Sequence, residues 1–66
     1  YQEASEYFTQ ILESDPDNAQ AHFNLGMLYK HFLEQPDKAP EHFRKTLEDK
    51  ELSQMTRERA EQELKD

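Results

Sequence analysis

Three features of the sequence predict an all-α fold of about four helices arranged as antiparallel helix–turn–helix repeats. Apolar residues recur at helical spacing in successive short segments, strand-forming residues are almost absent, and one segment reappears further along the chain. The 66 residues include no valine and one isoleucine against many Glu, Gln, Lys, Ala and Leu, a balance that favours helix over sheet. Leu, Ile, Val and Phe total 12 of 66 residues, just under the roughly 20% below which a highly charged chain tends to stay unfolded. Order therefore depends on where those residues fall. A chain this short buries only about 60% of its unfolded surface, so an ordered domain of modest stability is expected.

The central stretch runs from Ala21 to Leu33. Its apolar residues at 21, 25, 28, 29, 32 and 33 line one helix face. Gly26, the one glycine in the chain, lies within that face. Glycine inside a helix costs about 0.5–1 kcal/mol relative to alanine, so its presence implies the close approach of a second helix. Upstream, Ala4, Tyr7, Phe8, Ile11 and Leu12 give a helix over residues 1–14. Asp15-Pro16 stops it, because proline supplies no amide hydrogen and pushes the preceding residue out of the helical region. Asp17 or Asn18 can cap the next helix, with Asp17-x-x-Gln20 approximating a capping box. That helix is expected over 18–33.

Pro40 must lie in the first turn of a third helix, where amides lack an internal partner. Asp37 is then the expected N-cap, and the helix runs to Lys50 with Ala39, Phe43 and Leu47 on its face. The last segment, Ser53 to Lys65, offers Met55, Ala60 and Leu64 in an otherwise charged helix. Arg57–Glu61, Arg59–Glu63 and Glu61–Lys65 lie at i, i+4, each worth a few tenths of a kcal/mol. A narrow apolar stripe under a charged face suits a helix lying over the end of a core.

Shifting the chain on itself by 35 places Ala4 on Ala39, Phe8 on Phe43, Leu12 on Leu47 and Glu13 on Glu48 (39 − 4 = 43 − 8 = 47 − 12 = 48 − 13 = 35). The third helix repeats the first, and such a period signals a helical array. With Leu25-Gly26-x-x-Tyr29 in the second helix, and Ala39, Phe43 and Leu47 in the third, the chain resembles the tetratricopeptide repeat family. Ala4, Phe8 and Asp15-Pro16 match the end of a preceding unit. The resemblance implies an α-solenoid in which Ala39 packs against the glycine. It implies a single domain: residues 1–18 the second helix of a partial repeat, 19–51 one full repeat, and 52–66 a C-terminal capping helix. Departures from the pattern are a loop from Phe32 to Lys38 longer by one residue, His22 where tryptophan is common, and Lys50-Glu51 in place of Asp-Pro. The last helix carries Ala60 and Leu64 where the family has Leu and Tyr, and Glu61 where it has Gly. Glutamate there prevents a further helix from packing closely, as in the solvating cap of an array. The chain is thus expected to be the C-terminal end of a longer array.

The net charge of −7, with no Lys or Arg before Lys30, lacks the basic footprint of a nucleic-acid or anionic-lipid binder. The chain has no cysteine. No apolar run suggests membrane insertion and no signal peptide opens the sequence, which leaves a cytoplasmic address as the default expectation. No nucleophile–base pair, phosphate loop or carboxylate dyad can be assembled, so neither an enzyme nor a cofactor is expected. His22, His31 and His42 are 9 and 11 residues apart, not the i, i+4 spacing of metal ligands on a helix.

The family resemblance implies that another protein or peptide binds the concave face of the first helix of each repeat. Those positions are Gln20, Phe23, Asn24, Met27, Lys30 and His31 on the second helix, and Met55, Glu58, Gln62 and Lys65 on the last. Phe23 and Met27 read either as partner anchors or as cover for the core beneath the cap helix. A clamp for a C-terminal carboxylate is not supported, since only Asn24 and Lys30 would serve it and Glu58 would oppose it. Two alternatives accompany this reading: a purely structural cap of a longer array, and self-association through the face of the first helix that carries Tyr1, Tyr7 and Phe8.

Overall fold

A computed structural model describes residues 1–65. Four α-helices follow one another: α1 (Gln2–Ser14), α2 (Ala19–His31), α3 (Ala39–Glu48) and α4 (Gln54–Lys65), with a 3-10 turn (Pro36–Lys38) leading into α3. Each helix packs on the next, α1 on α2, α2 on α3 and α3 on α4. The contacts fix the direction of each pairing. Tyr1 meets Phe32, with ring centroids 4.5 Å apart. Ala19 meets Thr46, and Tyr29 meets His42. Pro40 and Leu64 line one hollow. Low numbers on one helix meet high numbers on its neighbour, so all three pairs are antiparallel. The Cα trace is a slab of 28 × 27 × 15 Å.

Local chemistry sets the helix ends. α1 stops at Ser14, and Asp15 leaves the helical region at φ −141° ahead of Pro16. The amide of Asn18 then closes the turn onto the Asp15 carbonyl at 3.0 Å. Of the two candidate caps for α2, Asn18 serves: its Oδ1 accepts from the Ala21 amide at 2.9 Å. α2 ends at His31, two residues earlier than the apolar pattern suggests. The Phe32 and Leu33 amides both turn back to the Leu28 carbonyl, and the Gln35 amide reaches the Tyr29 carbonyl. This wider wrap puts Glu34 in the left-handed region at φ 53°. The expected N-cap of α3, Asp37, lies instead within the 3-10 turn, and α3 has no side-chain cap. The turn feeds backbone directly into the helix, the Ala39 amide bonding the Pro36 carbonyl. Pro40 occupies the first turn of α3, as its missing amide requires.

Ala39, Phe43 and Ala60 form the core between α3 and α4, with Phe23, Met27, Tyr29, Leu47 and Leu64 packed against it. Gly26 explains how α2 reaches that core. A Cβ built on it would lie 2.8, 2.9 and 3.0 Å from the Cε1, Cζ and Cδ1 of Phe43. The three atoms nearest that position all belong to the Phe43 ring, and this close approach explains a residue without a side chain. Thr46, fully buried, pins the other end of the α2–α3 seam with its hydroxyl 3.2 Å from the Ala19 carbonyl and 3.0 Å from that of His42.

Candidate functional site

The α2 positions expected on a concave face divide into three groups. Gln20 is exposed and Asn24 half-buried, and the Gln20 amide donates to Asn24 Oδ1 at 3.3 Å. Phe23 and Met27 are half-buried and lie on the core, the Phe23 ring edge-on to Phe43 with centroids 6.0 Å apart. Lys30 and His31 reach α4. On α4, Met55 is 80% exposed. Glu58, Gln62 and Lys65 are also exposed, with Glu58 accepting from Gln54.

Lys30 and His31 converge on Glu63, whose side chain is 5% exposed. His31 Nε2 donates to Oε2 at 2.5 Å, Lys30 Nζ stands 3.7 Å from Oε1, and Arg59 Nε stands 3.8 Å from Oε1. Lys30 Nζ also donates to the Glu63 main-chain carbonyl at 2.7 Å. That carbonyl is among the last four of α4, which have no partner inside the helix, and a cation there also suits the helix dipole. Burial pushes the Glu63 carboxyl up, but the hydrogen bond and charge of His31 and the charges of Lys30 and Arg59 hold it below its ordinary value. The sequence places Glu63 on a solvated face, paired only with Arg59. The signal that could have revealed its role is the short apolar stripe of α4, which leaves Glu63 one turn from Ala60 and beside Leu64.

A second polar cluster lies at the other end of α2. His22, 8% exposed, places Nε2 2.8 Å from the Pro16 carbonyl and Nδ1 3.0 Å from Nδ1 of His42. The His42 ring stacks on Tyr29 at 5.6 Å, and Lys38 Nζ stands 5.6 Å from the Tyr29 centroid. Burial, and then the charge of His22, push His42 below the ordinary histidine value, with Glu41 opposing them. Sequence spacing gives no sign that these two rings meet. Among the described residues, no group of three or more His, Cys, Asp or Glu side chains is placed to hold a metal ion. Among the same residues, no helix is long and apolar enough to cross a membrane.

The aromatics of α1 are more open. Tyr1 and Tyr7 are 70% and 61% exposed, Phe8 is half-buried, and the Tyr7 and Phe8 rings meet edge-on at 5.4 Å.

Antiparallel helical hairpins in series, seamed by a glycine against a buried aromatic ring, define a helical-repeat protein. A tetratricopeptide repeat family model matches residues 7–39, half of the chain, from within α1 through α2 to the start of α3, and the chain belongs to that family. No curated protein and no solved structure matches. Repeats of this family serve in general as non-catalytic modules that bind other proteins.

Proposed function

We propose that the chain binds an extended peptide or a partner helix across the face formed by Gln20, Phe23, Asn24 and Met27 of α2 and by Met55, Glu58 and Gln62 of α4. The observation that carries this reading is the thioether of Met55, four-fifths exposed on a helix that otherwise buries Ala60 completely. An adaptable apolar side chain held in water suits an apolar anchor of a partner, and Phe23 and Met27 of α2 are half-covered. The amides of Gln20 and Asn24 supply hydrogen bonds for a peptide backbone. Lys30 and His31 contribute less, because Glu63 already holds them.

Peptides selected on the chain from a displayed library provide the test, with binding mapped by amide chemical shifts. The expected result is a perturbed set centred on Gln20, Asn24, Met55 and Glu58. Asn24→Ala with Met55→Ala should weaken binding by about tenfold or more and leave helicity unchanged. Perturbation confined to α1, or unchanged affinity in the double variant, would overturn the reading. Phe23→Ala and Met27→Ala are poorer probes, since both side chains also cover the core.

Self-association is a second reading, supported by Tyr1 and Tyr7, whose exposure is far above that of the other α1 apolar residues. Sedimentation across a concentration series tests it: a monomer at every concentration excludes it, and a dimer lost in Tyr7→Ser supports it.

A further inference from the structure

The hydrogen bonds of His22 and His42 allow few arrangements of protons. The Pro16 carbonyl can only accept, so His22 Nε2 carries a hydrogen. In the neutral ring His22 Nδ1 is then a bare acceptor, and the hydrogen in the 3.0 Å contact must sit on Nδ1 of His42. One added proton is tolerated. It goes either to His42 Nε2, making the contact charge-assisted, or to His22 Nδ1, with His42 changing tautomer to accept. A second proton leaves two N–H groups pointing at each other across 3.0 Å, with no lone pair between them.

We propose that the His22–His42 pair is a proton-operated latch on the α2–α3 seam, closed while the pair holds at most one extra proton and opened by the second. The His22 bond to Pro16 survives in every protonation state, so the part that moves is α3 relative to α2 and its preceding turn. Beyond the pair, the next tie along that seam is the single hydroxyl of Thr46 on the Ala19 carbonyl. Protons have a route in: a cavity of about 390 Å3 lined by Asp17, Lys45, Glu48 and Asp49 opens onto His22.

Every element packed around the pair presents charged groups to it. The α1–α2 turn offers Asp17, while α3 and its end offer Glu41, Lys45, Glu48 and Asp49. Lys38 sits at the Tyr29 ring on which His42 stacks, and Glu6 and Glu13 of α1 line the hollow beside Tyr29. Burial and the charge of His22 oppose a proton on His42, and Glu41 favours it. The described ionisable contacts of α4 to α2 lie at Lys30 and His31, the far end of the helix. The two steps belong to the pair rather than to either ring.

Nitrogen-15 spectra of the histidine rings in the intact chain test the latch directly. The expected result near neutral pH is His22 as the Nε2–H tautomer and His42 as the Nδ1–H tautomer. Titration downward from about pH 7.5 should show two separated steps, with the amides of Ala19 and Thr46 shifting in the second. Reversed tautomers, or a single step that leaves those amides unmoved, would overturn the proposal. His42→Gln provides a second measurement, because glutamine can donate to His22 Nδ1 but takes no proton. Over the same range the urea midpoint of the unaltered chain should fall by about twice as much as that of His42→Gln, or more. Equal falls would sink the proposal. So would a fall abolished by His31→Gln, which removes the third histidine. If His42→Gln does not fold, the ring spectra of the unaltered chain decide.

Discussion

Gly26→Ala sets two effects of opposite sign against each other at one position. Alanine gains about 0.5–1 kcal/mol of helix propensity over glycine inside a helix. Against this, the new methyl would lie 2.8–3.0 Å from three atoms of the Phe43 ring, well inside carbon–carbon contact distance. The ring is rigid and 1% exposed, held among Ala39, Ala60 and its half-buried neighbours, so it cannot swing into solvent. Overpacking of this kind costs about 1–3 kcal/mol, and the clash therefore outweighs the gain by about 1.25 kcal/mol at mid-range, within limits of about 0–2.5 kcal/mol. A domain of this size loses about 4–8 °C of Tm per kcal/mol, so the expected fall is about 5–10 °C at mid-range. Thermal unfolding followed by circular dichroism reads it. The cause is checked by a double-mutant cycle with Phe43→Leu, which lacks the Cε1 and Cζ atoms that would come closest to the methyl. In that background Gly26→Ala should cost less or become stabilising. A higher Tm for Gly26→Ala alone, or an equal penalty in both backgrounds, refutes the argument that ring contact explains the glycine.

Glu63 should govern part of the acid response. Its folded carboxyl titrates below the ordinary glutamate value, so its stabilising contribution is present above about pH 4.3 and is lost as pH falls through the depressed folded value. Glu63→Gln keeps an acceptor for His31 but no charge for Lys30 and Arg59. It should lower stability by about 1 kcal/mol at neutral pH and flatten the urea midpoint below about pH 4.3. Parallel curves for variant and parent would rule this out. At the left-handed position after α2, Glu34→Gly should raise the unfolding midpoint by about 0.5 kcal/mol. It relieves backbone strain of about 1–2 kcal/mol and adds chain entropy in the unfolded state. An unchanged or lower midpoint would show that the loop, not the residue, sets that conformation.

The features legible in the sequence are those written in short-range patterns. Pro16 and Pro40 restrict the backbone wherever they occur, so the end of α1 and the start of α3 could be placed within a residue or two. The glycine of α2 and the offset of 35 between Phe8 and Phe43 gave the hairpin and its family. The boundaries that moved are set by backbone bonds with no sequence signature: the wrap from Gln35 back to Tyr29 that ends α2 at His31, and the 3-10 turn that makes Asp37 unnecessary as a cap. For the candidate site, positions could be proposed from the sequence but their engagement could not. Lys30 and His31 are expected from the sequence to face a partner, yet Glu63, 33 and 32 residues away, holds both. Pairing at that range depends on how α4 lies against α2, which no local pattern encodes. His22 and His42 met for the same reason, across a seam set by Gly26 and Phe43.

The small core explains why Lys30 and His31, expected to face a partner, are engaged within the chain. With Ala39, Phe43 and Ala60 as the buried cluster, apolar contact alone holds α4 weakly, and its C-terminal turn would fray. Lys30 and His31 are long enough, and placed in the last turn of α2, to reach Glu63 and tie that turn down. The same two residues are then less free for a partner, since releasing them would leave the buried carboxylate with Arg59 as the cation still beside it. In the proposed binding mode, recognition would fall to the N-terminal half of α2 and the exposed row of α4. Specificity there would rest on amides and a thioether rather than on cations, so peptide binding should depend only weakly on salt. A steep fall of peptide affinity with ionic strength would mean that Lys30 does leave Glu63 when a partner arrives.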